Sequence, residues 1–312
     1  MDNQPIMWLI GIAAALILLP TVMRADVIVV AYMDESVIAL LDGRSRETLV
    51  RFATGPNPHE VRISPDGRYA YVAAGRYVTA LDLKTRRVGR QFDLGEHSAH
   101  DIRVSRDGKV FWAACARTRV VLEVDAATGK TIKERKTEQD GAWFVEVSRD
   151  QRKLYTPNLE GKSISIIDRA SGTVKVIPLQ NAAYGIDITP DGRFIWVSGT
   201  DLTVLDTGRD TIVATVKASE VATGRLRITR DGKRVVVALA KKLAIFDAQT
   251  RKLVTEIALP ASPKVLTLSG DDRFAYLTNP EDHSLSIIDL VQHKVIGTQK
   301  SGRRPDGIGW AP

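Results

Sequence analysis

From residue 26 onward, apolar residues come in short runs of about four to six, broken at regular intervals by Gly, Pro, Asp, Asn and Ser. Runs such as SIID at Asp168 and AIFD at Asp247 are rich in Val, Ile, Tyr and Thr, the composition of β-strands. No segment after residue 25 carries a helical apolar period long enough to compete. The chain therefore reads as all-β. The punctuation is itself periodic. SPDGRYAYV from Ser64 recurs as SRDGKVFWA from Ser105, SRDQRKLYT from Ser148, TPDGRFIWV from Thr189, TRDGKRVVV from Thr229 and SGDDRFAYL from Ser269, at intervals of 41, 43, 41, 40 and 40 residues. Such a period marks stacked copies of one supersecondary unit, none able to bury its apolar face alone. Within the turn, Pro presets one dihedral while Asp and Gly tolerate the next ones, so the chain reverses between two strands.

Each turn is followed by a strand ending in Asp: Asp82, Asp125, Asp168, Asp206, Asp247 and Asp289. A seventh such strand, ending at Asp42, has no turn before it. The missing piece lies at the other end of the chain, where PDGIGWAP from Pro305 aligns with PHEVRISP from Pro58. The C-terminus thus supplies the first strand of a unit whose other three strands are N-terminal. A closed ring has a use for this split, because it removes the raw edge between first and last units. The expected architecture is a seven-bladed β-propeller of four-stranded blades, one domain over 26–312, closed by the C-terminal strand.

The units resemble the YVTN-type β-propeller repeat, seen in SPDGRYAYVAAGRYVTALDL and in LYTPNLEGKSISIIDRASG. The resemblance spans essentially all of 26–312. Its relatives include surface-layer repeats, periplasmic binding proteins, lactonase-like propellers and the haem or quinone domains of some periplasmic oxidoreductases, so it specifies architecture more than activity. Asn158 and Asn279 match the Asn of the family strand and are expected to satisfy local backbone groups.

Residues 1–25 stand apart. Ile6 to Leu19 form an unbroken apolar run of fourteen, the length of a signal-peptide core and short for a bilayer span. Asp2 before the run and Arg24 after it oppose positive-inside logic. The segment is read as a cleaved signal peptide ahead of an uncleaved anchor, which places the propeller in the periplasm or outside the cell. The net charge of +7 is spread over outer turns and accompanied by no base-reading motif. Polyanion (nucleic acid) binding accordingly ranks last among the functions considered. The lone Cys115, in FWAACA, reads as a buried small hydrophobe, and no CxxCH is present for haem attachment.

Aligned positions of the first strand of each unit should form rings around the axis. One and three residues before the turn the side chains are apolar, from Ile63 and Val61 round to Trp310 and Ile308. Between them stand Arg62, Arg103, Glu146, Asp187, Arg227, Thr267 and Gly309, the period-2 signature of a two-faced strand. Four before the turn come Glu60, Asp101, Phe144, Gly185, Arg225, Val265 and Gly307. These two rings hold four Arg and four carboxylates, and are expected to form an ion-pair lattice lining a water-filled tunnel. Glu146 or Asp187 as a catalytic acid or base is the weaker alternative.

Five before the turn stand His59, His100, Trp143, Tyr184, Gly224, Lys264 and Asp306, chemically varied where the core is uniform. This ring is the expected ligand-binding rim. His59, His97 and His100 near one mouth raise a transition metal or axial haem ligand, but no ligand-type spacing supports it, so no cofactor is expected. The favoured function is a monomeric, non-catalytic propeller binding a small molecule or a periplasmic protein at the channel mouth. A propeller enzyme or accessory protein of the lactonase or haem/quinone oxidoreductase type is the alternative. Membrane contact would come only through an uncleaved N-terminus.

Overall fold

The computed structural model describes residues 26–220 and 224–312. The expected signal peptide or anchor lies outside the described residues. Seven four-stranded antiparallel sheets follow one another around a ring. Blade 1 combines Pro305–Ala311 with Val27–Tyr32, Val37–Asp42 and Thr48–Ala53, in that order from inside to outside. Val27 pairs with Ala311 and Val29 with Gly309, so the C-terminal strand closes the ring as the split unit requires. Blades 2 to 7 begin at their inner edges with strands opening at Pro58, Asp101, Glu146, Ala183, Leu226 and Leu266.

Middle strands, such as Tyr69–Ala74 and Val110–Cys115, are buried along almost their whole length because each blade is covered by another on both faces. This explains why they read as continuous apolar runs. Outermost strands such as Thr131–Lys136 are mostly exposed and polar. Packing between blades 2 and 3 brings Tyr71, Phe92 and Phe111 into one cluster, with ring centroids 5.2–6.4 Å apart. Cys115 is fully buried.

Both sequence markers have a mechanism. In the first turn the Ser64 hydroxyl donates to Asp66 at 2.6 Å and accepts the Tyr69 amide at 2.8 Å, while Gly67 takes a positive φ of 67°. The same hydroxyl-to-carboxylate bond recurs from Ser105, Ser148, Thr189, Thr229 and Ser269. The strand-ending Asp caps the following turn: Asp168 Oδ1 accepts the amides of Ala170 and Ser171. Asn158 and Asn279 depart from the expected backbone role. Their amides donate to serine hydroxyls of the neighbouring strand, Ser163 and Ser165, and Ser284 and Ser286 respectively.

Candidate functional site

The inner strands do not keep simple alternation at their starts. Register shifts fall between Pro58 and Val61 on blade 2 and between Ala183 and Ile186 on blade 5. On blade 1, Pro305 and Ile308 pair with Tyr32 and Val30, leaving an extra residue at Asp306–Gly307. A bulge releases one residue from the two-fold pattern and re-aims its neighbours. Consecutive residues such as His59 and Glu60 can therefore both serve the axis. Hydroxyls on the second strands pin these segments. Thr278 donates to the Asp306 carbonyl at 2.8 Å, and Ser198 accepts the Gly185 amide at 2.7 Å while donating to the Gly224 carbonyl at 3.0 Å. Gly307 is needed for proximity, since a Cβ there would stand 2.0 Å from the His59 carbonyl oxygen.

The rim residues form a continuous arc over six blades. Lys264 Nζ lies 3.2 Å from Asp306 Oδ1, and His59 Nδ1 is 2.8 Å from Asp306 Oδ2. His59 stacks on His100 with centroids 4.4 Å apart, and His100 meets Trp143 edge-on at 5.2 Å. His100 also meets Phe144, which in turn packs edge-on against Tyr184 at 5.1 Å. The seventh position, Gly224, has no side chain. Trp143 directs its indole N–H to Glu160 at 3.2 Å, fixing the ring from outside.

The electrostatics follow from burial. Asp306 is 1% exposed; burial pushes its carboxyl up, but the hydrogen bond from His59 and the Lys264 charge outweigh that and hold it well below the usual range. Burial pulls the Lys264 ammonium down, yet Asp306 and Tyr184 leave it above its ordinary value. His100 is driven well below the usual imidazole value by burial, then by His59 beside it. Its Nδ1 has no hydrogen-bond partner among the described residues.

Beneath this arc the expected water-filled tunnel is replaced by a plug. Arg225, 1% exposed, extends from blade 6 to Glu60 on blade 2, where its Nε donates to Oε1 at 3.1 Å. Its guanidinium lies over the Phe144 ring, 3.3 Å from the centroid. Gly185 makes room, because a Cβ there would come within 3.1 Å of the Arg225 Cα. Arg225 Nη1 has no hydrogen-bond partner among the described residues. Ion pairs continue around the axis: Glu60 with Arg62 at 3.1 Å, Arg62 with Asp101 at 2.8 Å, Asp101 with Arg103 at 3.2 Å and Arg103 with Glu146 at 2.8 Å. Arg62, Arg103, Glu146, Asp187 and Arg227 lie at the turn-side mouth, around a cavity of about 230 Å³. The expected ion-pair lattice is thus present, but packed rather than tubular. Asp187 joins it through backbone instead: Oδ1 and Oδ2 accept the amides of Ile188 and Ile228. Burial and the Glu146 charge push its carboxyl above the ordinary value.

The family of YncE-like β-propellers has a sequence model that matches residues 11–311. The chain belongs to that family. The uncharacterised YncE proteins of Salmonella typhimurium LT2 and Salmonella typhi are each 26% identical over 220 residues, or 64% of this chain. The match spans about 62% of the length of these curated relatives. Among solved structures, a functionally unknown protein of Desulfotomaculum acetoxidans superposes with a TM-score of 0.81 at 14% identity, over 91% of this chain and 98% of its own. Hydrazine synthase of Kuenenia stuttgartiensis gives 0.72 at 18% identity, over 82% and 90%. The dihydro-heme d1 dehydrogenase NirN gives 0.66 at 18%, over 90% and 66%. These likenesses show the shared fold.

Within this YncE-like ring, His59, His100, Trp143, Tyr184, Lys264 and Asp306 are brought together as the aligned position suggested. His97 is not. Its Nδ1 bonds the Thr118 hydroxyl at 2.8 Å and its Nε2 faces Glu134 of an outer strand at 3.6 Å, so the three imidazoles do not converge. Sequence reasoning placed Arg225, Glu60 and Phe144 in a ring but not in the site. Their only signal was chemical: one Arg, one Glu and one Phe at a position shared with Asp101 and three glycine or aliphatic residues.

Proposed function

We propose that this YncE-like propeller is a non-catalytic binding protein of the periplasm or cell exterior, whose mouth at His59, His100, Trp143, Tyr184, Lys264 and Asp306 receives a small molecule or a partner's side chain. The observation that carries it is the unpartnered Nη1 of the fully buried Arg225 beneath a rim that offers one ammonium, one Asp-anchored imidazole and the half-buried aromatic rings of Trp143 and Tyr184. Buried donors are almost always satisfied, and an acceptor oxygen entering from the mouth would satisfy this one. The class that fits is a planar or apolar body ending in a carboxylate or carbonyl, stacked on the aromatics and directed toward Lys264, His59 and Arg225.

The test is a thermal-shift and calorimetric screen of planar carboxylates and carboxylate-bearing peptides. His59→Ala with His100→Ala, and separately Trp143→Ala with Lys264→Ala, should weaken the best binder while the blades stay folded. Unchanged binding in both pairs would reject the site. For export, a fusion of residues 1–25 to a reporter active only outside the cytoplasm should be active, with the mature chain starting near Asp26. The enzyme alternative would be favoured by a haem or quinone absorption band in protein purified from its native host.

A further inference from the structure

The opposite end of the channel has a different chemistry. The cavity of about 230 Å³ at the turn-side mouth is lined by Arg62, Arg103, Arg149 and Arg227 against Glu146 and Asp187. The Arg225 plug lies between it and the rim, so ligands at the two mouths occupy separate places.

The cations are not equally satisfied. Arg62 is tied to Glu60 and Asp101, and Arg103 to Asp101 and Glu146. Arg227 forms no ion pair among the described residues; its Nη1 donates to the Leu226 carbonyl at 2.9 Å. Arg149 is likewise without a carboxylate partner, its guanidinium donating to the carbonyls of Ile188 and Thr189. Asp187 attracts Arg227 through its charge but forms no ion pair among the described residues, and each of its oxygens accepts a backbone amide.

Burial and crowding lower two of these guanidiniums, whereas the burial of Arg103 is outweighed by Glu146, Asp101 and Asp187, which hold it above its ordinary value. Burial, and then Arg103, push the Arg62 guanidinium down to about 9. Burial also lowers Arg227, with Arg103 and Arg225 adding to the effect against the pull of Asp187. Clustered guanidiniums in a partly dry pocket repel one another, and a multivalent anion relieves that repulsion while presenting oxygens to their planar forks.

We propose that this cavity is a second binding site, which takes a small dianionic oxyanion (inorganic phosphate, sulfate or a short dicarboxylate) between Arg227 and Arg149, over the Arg62–Arg103 floor. The size limits the class, because drug-sized ligands fill cavities of roughly 300–1,000 Å³ and this one is smaller.

The experiment titrates the full chain with phosphate, sulfate and succinate, each against sodium chloride at matched ionic strength, using thermal shift and calorimetry. At least one dianion should raise the melting temperature and saturate, with no equivalent rise in chloride. Which of the three binds tightest separates a phosphate-type from a dicarboxylate-type ligand. Arg227→Gln should weaken that binding by about tenfold or more. Arg149→Gln, at an exposed position, should also weaken it and provides a second variant if Arg227→Gln does not fold. His59→Ala with His100→Ala should leave it unchanged. The proposal is overturned if chloride matches the dianions. Equal affinity in folded Arg227→Gln and Arg149→Gln would also overturn it, as would loss of anion binding in the histidine pair.

Discussion

His59 and His100, from equivalent positions on adjacent blades, stack with ring centroids 4.4 Å apart and planes inclined by 26°. Only His59 has an anchoring carboxylate, Asp306, whereas the His100 Nδ1 is unpartnered among the described residues. The pair is therefore electrostatically asymmetric. His100 is kept neutral by burial and by the neighbouring ring, while His59 presents an oriented imidazole to the mouth.

That asymmetry makes a pH prediction. His100 is depressed in the folded chain, so the unfolded chain binds more protons as pH falls through the free imidazole value of about 6.5. Stability should accordingly decline as pH falls through that value. The urea midpoint at pH 5.5 should lie below that at pH 7.5, and His100→Gln should reduce the difference. An unchanged difference in the variant would assign the pH dependence to other groups.

Asp306 should act in a lower window with the same sign, because its folded value is depressed as well. Its contribution is complete above the free carboxylate value of about 4 and is lost as pH falls further. Asp306→Asn should flatten the acid limb of the stability curve. Asp306→Ala, which leaves Lys264 and His59 without their shared carboxylate, should cost about 3 kcal/mol or more by urea denaturation at pH 7.

The plug predicts non-additivity. Arg225→Ala should destabilise by about 3–5 kcal/mol, because it leaves Glu60 buried with one partner fewer and removes the guanidinium from the Phe144 face. Glu60→Gln combined with Arg225→Met should cost less than the sum of the single changes. A double-mutant cycle that closes to zero would show that the two residues do not act together.

Ring closure has its own test. Removing residues 305–312 takes away the inner strand paired to Val27–Tyr32, and with it Asp306. The truncated chain should aggregate or melt with reduced cooperativity, as followed by size-exclusion chromatography and calorimetry. A soluble product that melts like the intact chain would contradict the closure.

The sequence by itself determined the ring. Period, turn and strand-ending Asp are local devices, each closed by hydrogen bonds within a few residues, such as Ser64 to Asp66 and Asp168 to Ser171. Local bonds repeat wherever the local sequence repeats, so blade number and the divided first blade were legible. The rim was legible for the same reason, since equivalent strand positions must share a height on the axis.

Only the tertiary structure decided what happens inside that axis. Arg225 reaches Glu60, 165 residues away in sequence and on a non-adjacent blade, because a long side chain can cross a narrow channel where neighbouring glycines leave space. His97 follows the pattern of no repeat and turns outward to Thr118 and Glu134. The bulges that give His59 and Glu60 a common axis break the alternation from which faces are read, so a two-fold pattern could not assign them. Alignment of repeats fixes the height of a residue in the ring. The partner that each charge finds depends on side-chain reach and on the room left by the other six blades, and no single repeat encodes either.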